Sequence, residues 1–334
     1  MIDLHLHLDG SLLPEDMLFL AALSRTTLPC DSAEDLRPML QVEPDCRNLG
    51  EYLEKFDLPL QVLQTEQAIS YGVYSTIKRL AADGLVYGEI RFAPQLHQAK
   101  GLSQQQVVAA AVDGLVKGIS VFKIPAQLIL CCMRGTDNQV ANIETVRVAK
   151  EFLGNGVCAV DLAGNEAAFP TKDFAEVFGL ANEGNIPFII HAGEAAGPES
   201  VWQAIELGAK RIGHGIRSFE DPALISVLKE KKIPLETCFT SNLQTKAIAN
   251  QDSYPLPFYL EQGLIATVNT DNMTVSGTNL RREYNLLKAV FGLSENTLQR
   301  IAYNAADAAF LSPEQKDVLK NRIAESFSAW LADT

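Results

Sequence analysis

Eight short runs of apolar and β-branched residues punctuate the chain, at 2–8, 86–92, 126–132, 157–162, 187–190, 211–213, 234–238 and 264–268. Each gap between them is long enough for a helix, and several gaps carry helix-start signals: Ser103-Gln-Gln-Gln, Pro198-Glu-Ser and Asp221-Pro. Strands that alternate with helices pair in parallel, because a parallel connection needs a crossover of a dozen or more residues. Eight such units predict an α/β fold, a (β/α)8 barrel, with residues 1–334 as one domain.

The runs share a second property. Nearly all end in polar or ionisable residues: His7-Leu-Asp9-Gly, Glu89-Ile-Arg91, Arg134, Asp161-Leu-Ala-Gly164, His191-Ala-Gly-Glu194, His214-Gly, Thr240-Ser-Asn242 and Asn269-Thr-Asp271-Asn272. In a barrel these ends gather at the C-terminal mouth, where chemistry takes place. The stretch from 12 to about 76 is too long for a single crossover helix, and its Glu51-Tyr-Leu-Glu-Lys-Phe56-Asp-Leu-Pro segment suggests a helical lid over that mouth. Residues 305–334 read as extra C-terminal helices packed on the exterior.

Composition narrows the partners. Hydrophobic residues at 47% and charged ones at 21% of 334 residues describe an ordinary globular chain, and a net charge of −13 opposes binding to nucleic acid. No apolar run approaches the roughly 20 residues of a membrane span, and the charged start Ile2-Asp-Leu-His leaves no secretory apolar region. The expectation is a cytoplasmic protein with no membrane partner. Its six cysteines (Cys30, Cys46, Cys131, Cys132, Cys158 and Cys238) form no C-x-x-C pair and read as reduced core residues.

Four of the five histidines lie at run ends. His5 and His7 are two apart, so on a strand they point to one face. In a closed barrel His191 converges with them, and Asp271, ending the last strand beside the first, adds a carboxylate. The set His5, His7, His191 and Asp271 with a water suits one zinc ion per chain, although iron and manganese accept the same ligands. The fourth run ends without a lysine to bridge two metals. Glu194 can face the cavity without binding the ion, and a carboxyl in a dry pocket is a general acid near neutrality. His214, between two glycines, can orient the water and accept its proton together with Asp271, or serve as a further ligand; the first role is preferred. The P-C-x-x-C signature of the small cytidine-type deaminases is missing.

These segments, Met1-Ile-Asp-Leu-His5-Leu-His7-Leu-Asp9-Gly, Asp161-Leu-Ala-Gly164-Asn-Glu, His191-Ala-Gly-Glu194, Arg211-Ile-Gly-His214-Gly and Val268-Asn-Thr-Asp271, resemble the adenosine deaminase family of the metal-dependent hydrolase (amidohydrolase) superfamily. The match runs in order along nearly the whole chain. It implies zinc on His5, His7, His191 and Asp271, Glu194 as proton donor to purine N1, and His214 positioning the hydroxide that attacks C6. It further implies that His7, Asp9, Gly164 and Asn272 bind substrate, with Asp9 at the ribose 5′-hydroxyl and Gly164 at purine N3. Adenine-specific relatives tend to read H-L-E-G in the first motif, so Asp9 favours a riboside. Leu53 and Phe56 match the family's hydrophobic gate but stay outside the expected site, and Glu89 and Arg91 are expected to form a structural ion pair with each other.

The chain departs from the family pattern in reading Asp271-Asn272-Met273 for Asp-Asp-Pro, which puts an amide donor at purine N7. Its seventh run ends Cys238-Phe-Thr-Ser-Asn242 without the usual Cys-Pro step. The implied function is zinc-dependent hydrolytic deamination of adenosine and 2′-deoxyadenosine to the inosine product and ammonia, in purine salvage. The alternatives are another 6-aminopurine (adenine, an N6-modified adenosine or an aminofutalosine-type nucleoside), a catalytically silent nucleoside-binding protein, and a barrel phosphoesterase.

Overall fold

The structure is a computed structural model that describes residues 1–333; Thr334, the last residue of the expected exterior tail, lies outside them. Its strands are β1 (Ile2–His7), β2 (Tyr87–Phe92), β3 (Ala126–Met133), β4 (Val157–Ala163), β5 (Ile189–Ala192), β6 (Arg211–His214), β7 (Leu235–Thr237) and β8 (Ala266–Val268). They pair in parallel in the orders β1-β2-β3-β4 and β5-β6-β7-β8. Two single bridges, Val160 with Phe188 and Leu6 with Asp271, join the halves into a ring. All eight expected strands are present. The fifth begins later than the run 187–190, because Pro187 has no N–H to give a ladder, and it pairs from Ile189 with Arg211 through to Ala192 with His214.

Strand alternation divides the core. Leu128, Leu130 and Cys132 of β3 join the apolar layer between barrel and helices, whereas Ile129 and Cys131 belong to separate, smaller clusters with neighbours such as Ala159 and Ala163. Charged residues penetrate the same barrel: Asp3, Glu89, Arg91, Asp161, Arg211 and Glu236 are all at most 1% exposed. Glu89 and Arg91 are structural, but not with each other. Residues two apart on a strand share a face yet stand nearly 7 Å apart along it, so each finds partners from neighbouring strands. Glu89 takes Arg211 at 2.5 Å, and Arg91 bridges Asp161 at 2.7 Å and Glu236 at 2.8 Å.

Between β1 and β2 the chain forms five helices, Pro14–Ser24, Ala33–Leu40, Leu49–Leu53, Asp57–Val62 and Glu66–Ala82. Ser32, Asn48 and Thr65 start three of them with side chains that accept an N–H of the first turn. The two shortest cross the mouth, as expected of a lid. At the other end, Ser312 and Gln315 close a capping box on the helix Pro313–Ala332, which buries Leu319, Ile323, Phe327 and Trp330. Trp330 Nε1 donates to the Asp83 carbonyl at 2.8 Å, tying this terminal helix to the end of Glu66–Ala82. Five of the six cysteines are buried, Cys30 is half-buried, and all are free thiols.

Candidate active site

Barrel closure brings the histidine cluster together. Asp271 N–H donates to the His5 carbonyl and His7 N–H to the Asp271 carbonyl, both at 2.8 Å, so the residue after β8 is stitched onto β1. Asp271 and His214 both hold left-handed backbone (φ 58° and 60°), where the chain turns out of a strand. Such strain in a non-glycine residue persists when its surroundings fix it, and it clusters at functional sites.

Two of the rings, His5 and His191, are aimed by a carboxylate at the rear nitrogen. His5 Nδ1 lies 2.8 Å from Glu236 Oε2, and His191 Nδ1 lies 3.0 Å from Asp161 Oδ2. His5 Nε2 is thereby turned to the centre, buried and without a hydrogen-bond partner. His7 Nε2 stands 3.3 Å from His191 Nε2 and 3.4 Å from Asp271 Oδ1, and His5 Nε2 is also 3.4 Å from that oxygen. Carboxylates behind imidazoles are the usual support of metal ligands. An unpartnered imidazole nitrogen, two others facing each other and a carboxylate oxygen between them fit a bound cation.

The grouping also includes a ring that sequence reasoning had preferred to assign to water. Ligand atoms of His5, His191, His214 and Asp271 all lie within 4.8 Å of one another, while His7 approaches two members of that group. His214 is 3.6 Å from Glu194 Oε2 through Nε2 and meets the Asn242 side-chain amide at 3.0 Å through Nδ1.

Burial sets the protonation states. It holds His7 and His214 well below the ordinary imidazole range, as metal ligation and base chemistry require, against the pull of Asp271. Burial opposes ionisation of Asp271, yet the close approach and charge of the His5 ring keep it well below the usual carboxylate range, and Ser241 Oγ donates to its Oδ2 at 2.6 Å. Glu194 goes the other way: burial, then the charges of Asp271 and Glu166, push its carboxyl well above the usual range and favour the protonated acid. Its Oε1 accepts from Thr245 Oγ1 at 3.2 Å.

These groups floor a cleft of about 830 Å³, counted with the solvent at its mouth. Asp9, Gly164 and Asn272, the expected substrate contacts, all line it. Asp9 Oδ1 and Asn272 Oδ1 are buried there without partners, and burial raises the Asp9 carboxyl to about 6. Leu49, Leu53, Phe56 and Leu60 from the inserted helices form an apolar wall, so Leu53 and Phe56, left out of the expected site, border it.

Sequence reasoning missed the residues behind the site, Glu236, Asp161 as a support of His191, Ser241, Asn242 and Thr245, and also Tyr52 in its wall, whose hydroxyl meets Ser276 Oγ at 2.7 Å. The available signal was a carboxylate inside an otherwise buried strand, in Val-Asp161-Leu and Leu-Glu236-Thr. The fifth histidine, His97, lies outside the site, buried with Nδ1 2.8 Å from the Leu63 carbonyl.

Residues 1–326 match the family model described as adenosine deaminase. An adenosine deaminase of Haemophilus ducreyi is 50% identical over 332 residues, covering 98% of this chain and 96% of the relative. Among solved structures, adenine deaminase from Arthrobacter aurescens superposes with a TM-score of 0.89 at 27% identity, covering 98% of both chains. The N6-mAMP deaminase of Arabidopsis does so with a TM-score of 0.85 at 26% identity, covering 97% of both.

Proposed function

The chain belongs to the adenosine deaminase family, and from that premise we propose that it hydrolyses adenosine, and 2′-deoxyadenosine with it, to the inosine product and ammonia. It is a deaminase hydrolase with a small purine as substrate and water as co-substrate. The observation that carries the assignment of roles is the meeting of Glu194, His214 and Asp271 at the floor of one apolar-walled cleft, where burial raises the Glu194 carboxyl and the His5 charge holds Asp271 ionised.

One zinc ion per chain is assigned to His5, His7, His191 and Asp271, with His214 beside them. When bound, such an ion lowers the pKa of water toward neutrality and so supplies hydroxide at neutral pH. The protein does the rest. Asp9, Gly164 and Asn272 hold the nucleoside, with Asp9 toward the ribose 5′-hydroxyl, Gly164 toward N3 and the Asn272 amide toward N7. Glu194 gives its proton to N1 as water adds to C6. His214 and Asp271 aim that water and take one of its protons, which leaves with the amino group as the C6–N bond breaks, while the C6 hydroxyl gives up the other proton as it becomes the carbonyl and so restores the Glu194 acid. The lid wall of Leu53 and Phe56 keeps bulk water from the reacting ring.

No helix among the described residues is long and apolar enough to cross a membrane. The free, mostly buried thiols support a reducing, cytoplasmic location. The chain's net acidity supports a small-molecule partner over nucleic acid.

The deciding experiment is a substrate panel on metal-quantified protein: adenosine, 2′-deoxyadenosine, adenine and N6-methyl-AMP. Adenosine should lose its absorbance band with release of ammonia and show the highest kcat/KM of the four. A preference for adenine or for the methylated nucleotide would move the assignment to another 6-aminopurine, and tight adenosine binding without ammonia would favour a silent binding protein.

A further inference from the structure

Glu166 follows β4 in the Asp161-Leu-Ala-Gly164-Asn-Glu segment and is 2% exposed. Its Oε1 accepts the N–H of Gly193 at 2.7 Å; its Oε2 accepts those of Glu194, Ala195 and Ala196 at 3.0, 2.7 and 3.0 Å. Four consecutive backbone donors therefore converge on one carboxylate, and the second is the amide of Glu194 itself. The chain reverses sharply here, with Gly193 in the left-handed region at φ 69°. No secondary-structure ladder takes up these donors.

The turn is anchored from its other side as well. Arg134, after β3, donates to the His191 carbonyl at 2.6 Å and to Thr171 Oγ1 at 2.9 Å. The peptide from His191 to Ala196 is thus gripped at its carbonyl start by a cation and along its amides by an anion. By contrast, the Glu194 side chain has one hydrogen bond, the long one from Thr245. Its aim depends on where the backbone beneath it is held.

We propose that Glu166 is a positioning residue, whose carboxylate fixes the 193–196 turn and so sets the angle at which Glu194 presents its carboxyl to the substrate ring. The inference rests on the proton-donor role of Glu194. A neutral amide at position 166 keeps one acceptor oxygen and turns an N–H₂ group toward backbone donors, so the clamp cannot close on all four. A displacement of about 1 Å at a reacting group can cost on the order of 100-fold in rate.

The test compares zinc-loaded wild type, Glu166→Gln and Glu166→Asp, with active sites counted by titration with a tight-binding tetrahedral purine nucleoside analogue. The expected result for Glu166→Gln is a fall in kcat per active site of roughly 10–100-fold, with KM for adenosine little changed and zinc content intact. Glu166→Asp, which keeps two acceptor oxygens on a shorter arm, should recover part of that loss. A kcat per active site equal to wild type in Glu166→Gln overturns the proposal, even if fewer molecules are active or the unfolding temperature drops. If Glu166→Gln does not fold, Glu166→Asp decides alone: a reduced kcat per site supports positioning, and a wild-type value refutes it. Absence of ammonia release by the wild type would instead refute the deaminase assignment.

Discussion

Glu236 Oε2 lies 2.8 Å from His5 Nδ1, and the same carboxylate takes Arg91 at 2.8 Å and Arg211 at 2.5 Å. A residue of β7 therefore fixes a ring of β1 across the barrel and leaves that ring one free nitrogen. Replacing Glu236 by Gln should weaken zinc binding by about 10–100-fold, the usual cost of losing such a support. Competition against a chromogenic chelator measures it, and an unchanged affinity would show that His5 needs no help from Glu236.

Glu194→Gln keeps the shape of the side chain but cannot give up a proton. Its zinc content and unfolding temperature should match wild type, while kcat on adenosine falls by roughly 10²–10⁴-fold, the range of a well-placed general acid. Near-normal turnover would remove Glu194 from the mechanism.

The Asp9 carboxyl, whose Oδ1 is buried without a partner, makes a selective prediction. Asp9→Ala should lower kcat/KM for adenosine by about 10–100-fold, the equivalent of a hydrogen bond to a charged group. Any activity on free adenine, which has no ribose, should stay as it was. Equal losses on both would mean that Asp9 shapes the cleft instead of reading the sugar.

Metal removal should abolish activity and lower the unfolding temperature together, because a ligand that binds only the folded chain adds stability by mass action, about 4 kcal/mol at a thousandfold excess over its Kd. Dialysis against a chelator followed by calorimetry, then zinc titration, tests both effects. An apo protein as stable as the holo form would argue that the five side chains hold no ion.

His97 gives a pH dependence separate from catalysis. Burial lowers its pKa from 6.5 to about 4, so the native state keeps it neutral while the unfolded chain binds a proton. Stability from this group is full above pH 6.5 and is lost as pH falls toward 4, by at most about 3 kcal/mol. Denaturant titrations of wild type and His97→Gln between pH 7 and 4 should diverge, with the variant's midpoint flatter. Parallel curves would show that His97 is not the titrating group.

Leu128, Leu130 and Cys132 turn to the helices while Ile129 and Cys131 turn inward, an alternation already written in the run 126–132. The same local logic marked the strand ends that carry His7, Asp9, His191, Glu194, His214 and Asp271, because a polar group closing an apolar run is visible without any partner. Glu89 and Arg91 show where that logic stops. Their spacing told that they share a face, and only neighbouring strands could tell that their partners are Arg211, Asp161 and Glu236.

The linear order of residues was enough to define the eight repeating units, the mouth at which chemistry gathers and the residue types assembled there, since each follows from periodicity within a few neighbours. Which atoms meet was settled by closure of the ring. The stitch between Asp271 and β1, the carboxylates behind His5 and His191, and the grip of Glu166 on the turn below Glu194 join segments from 27 to 266 positions apart. Such contacts depend on register and on strand neighbours, and a side chain's own sequence surroundings carry no record of either.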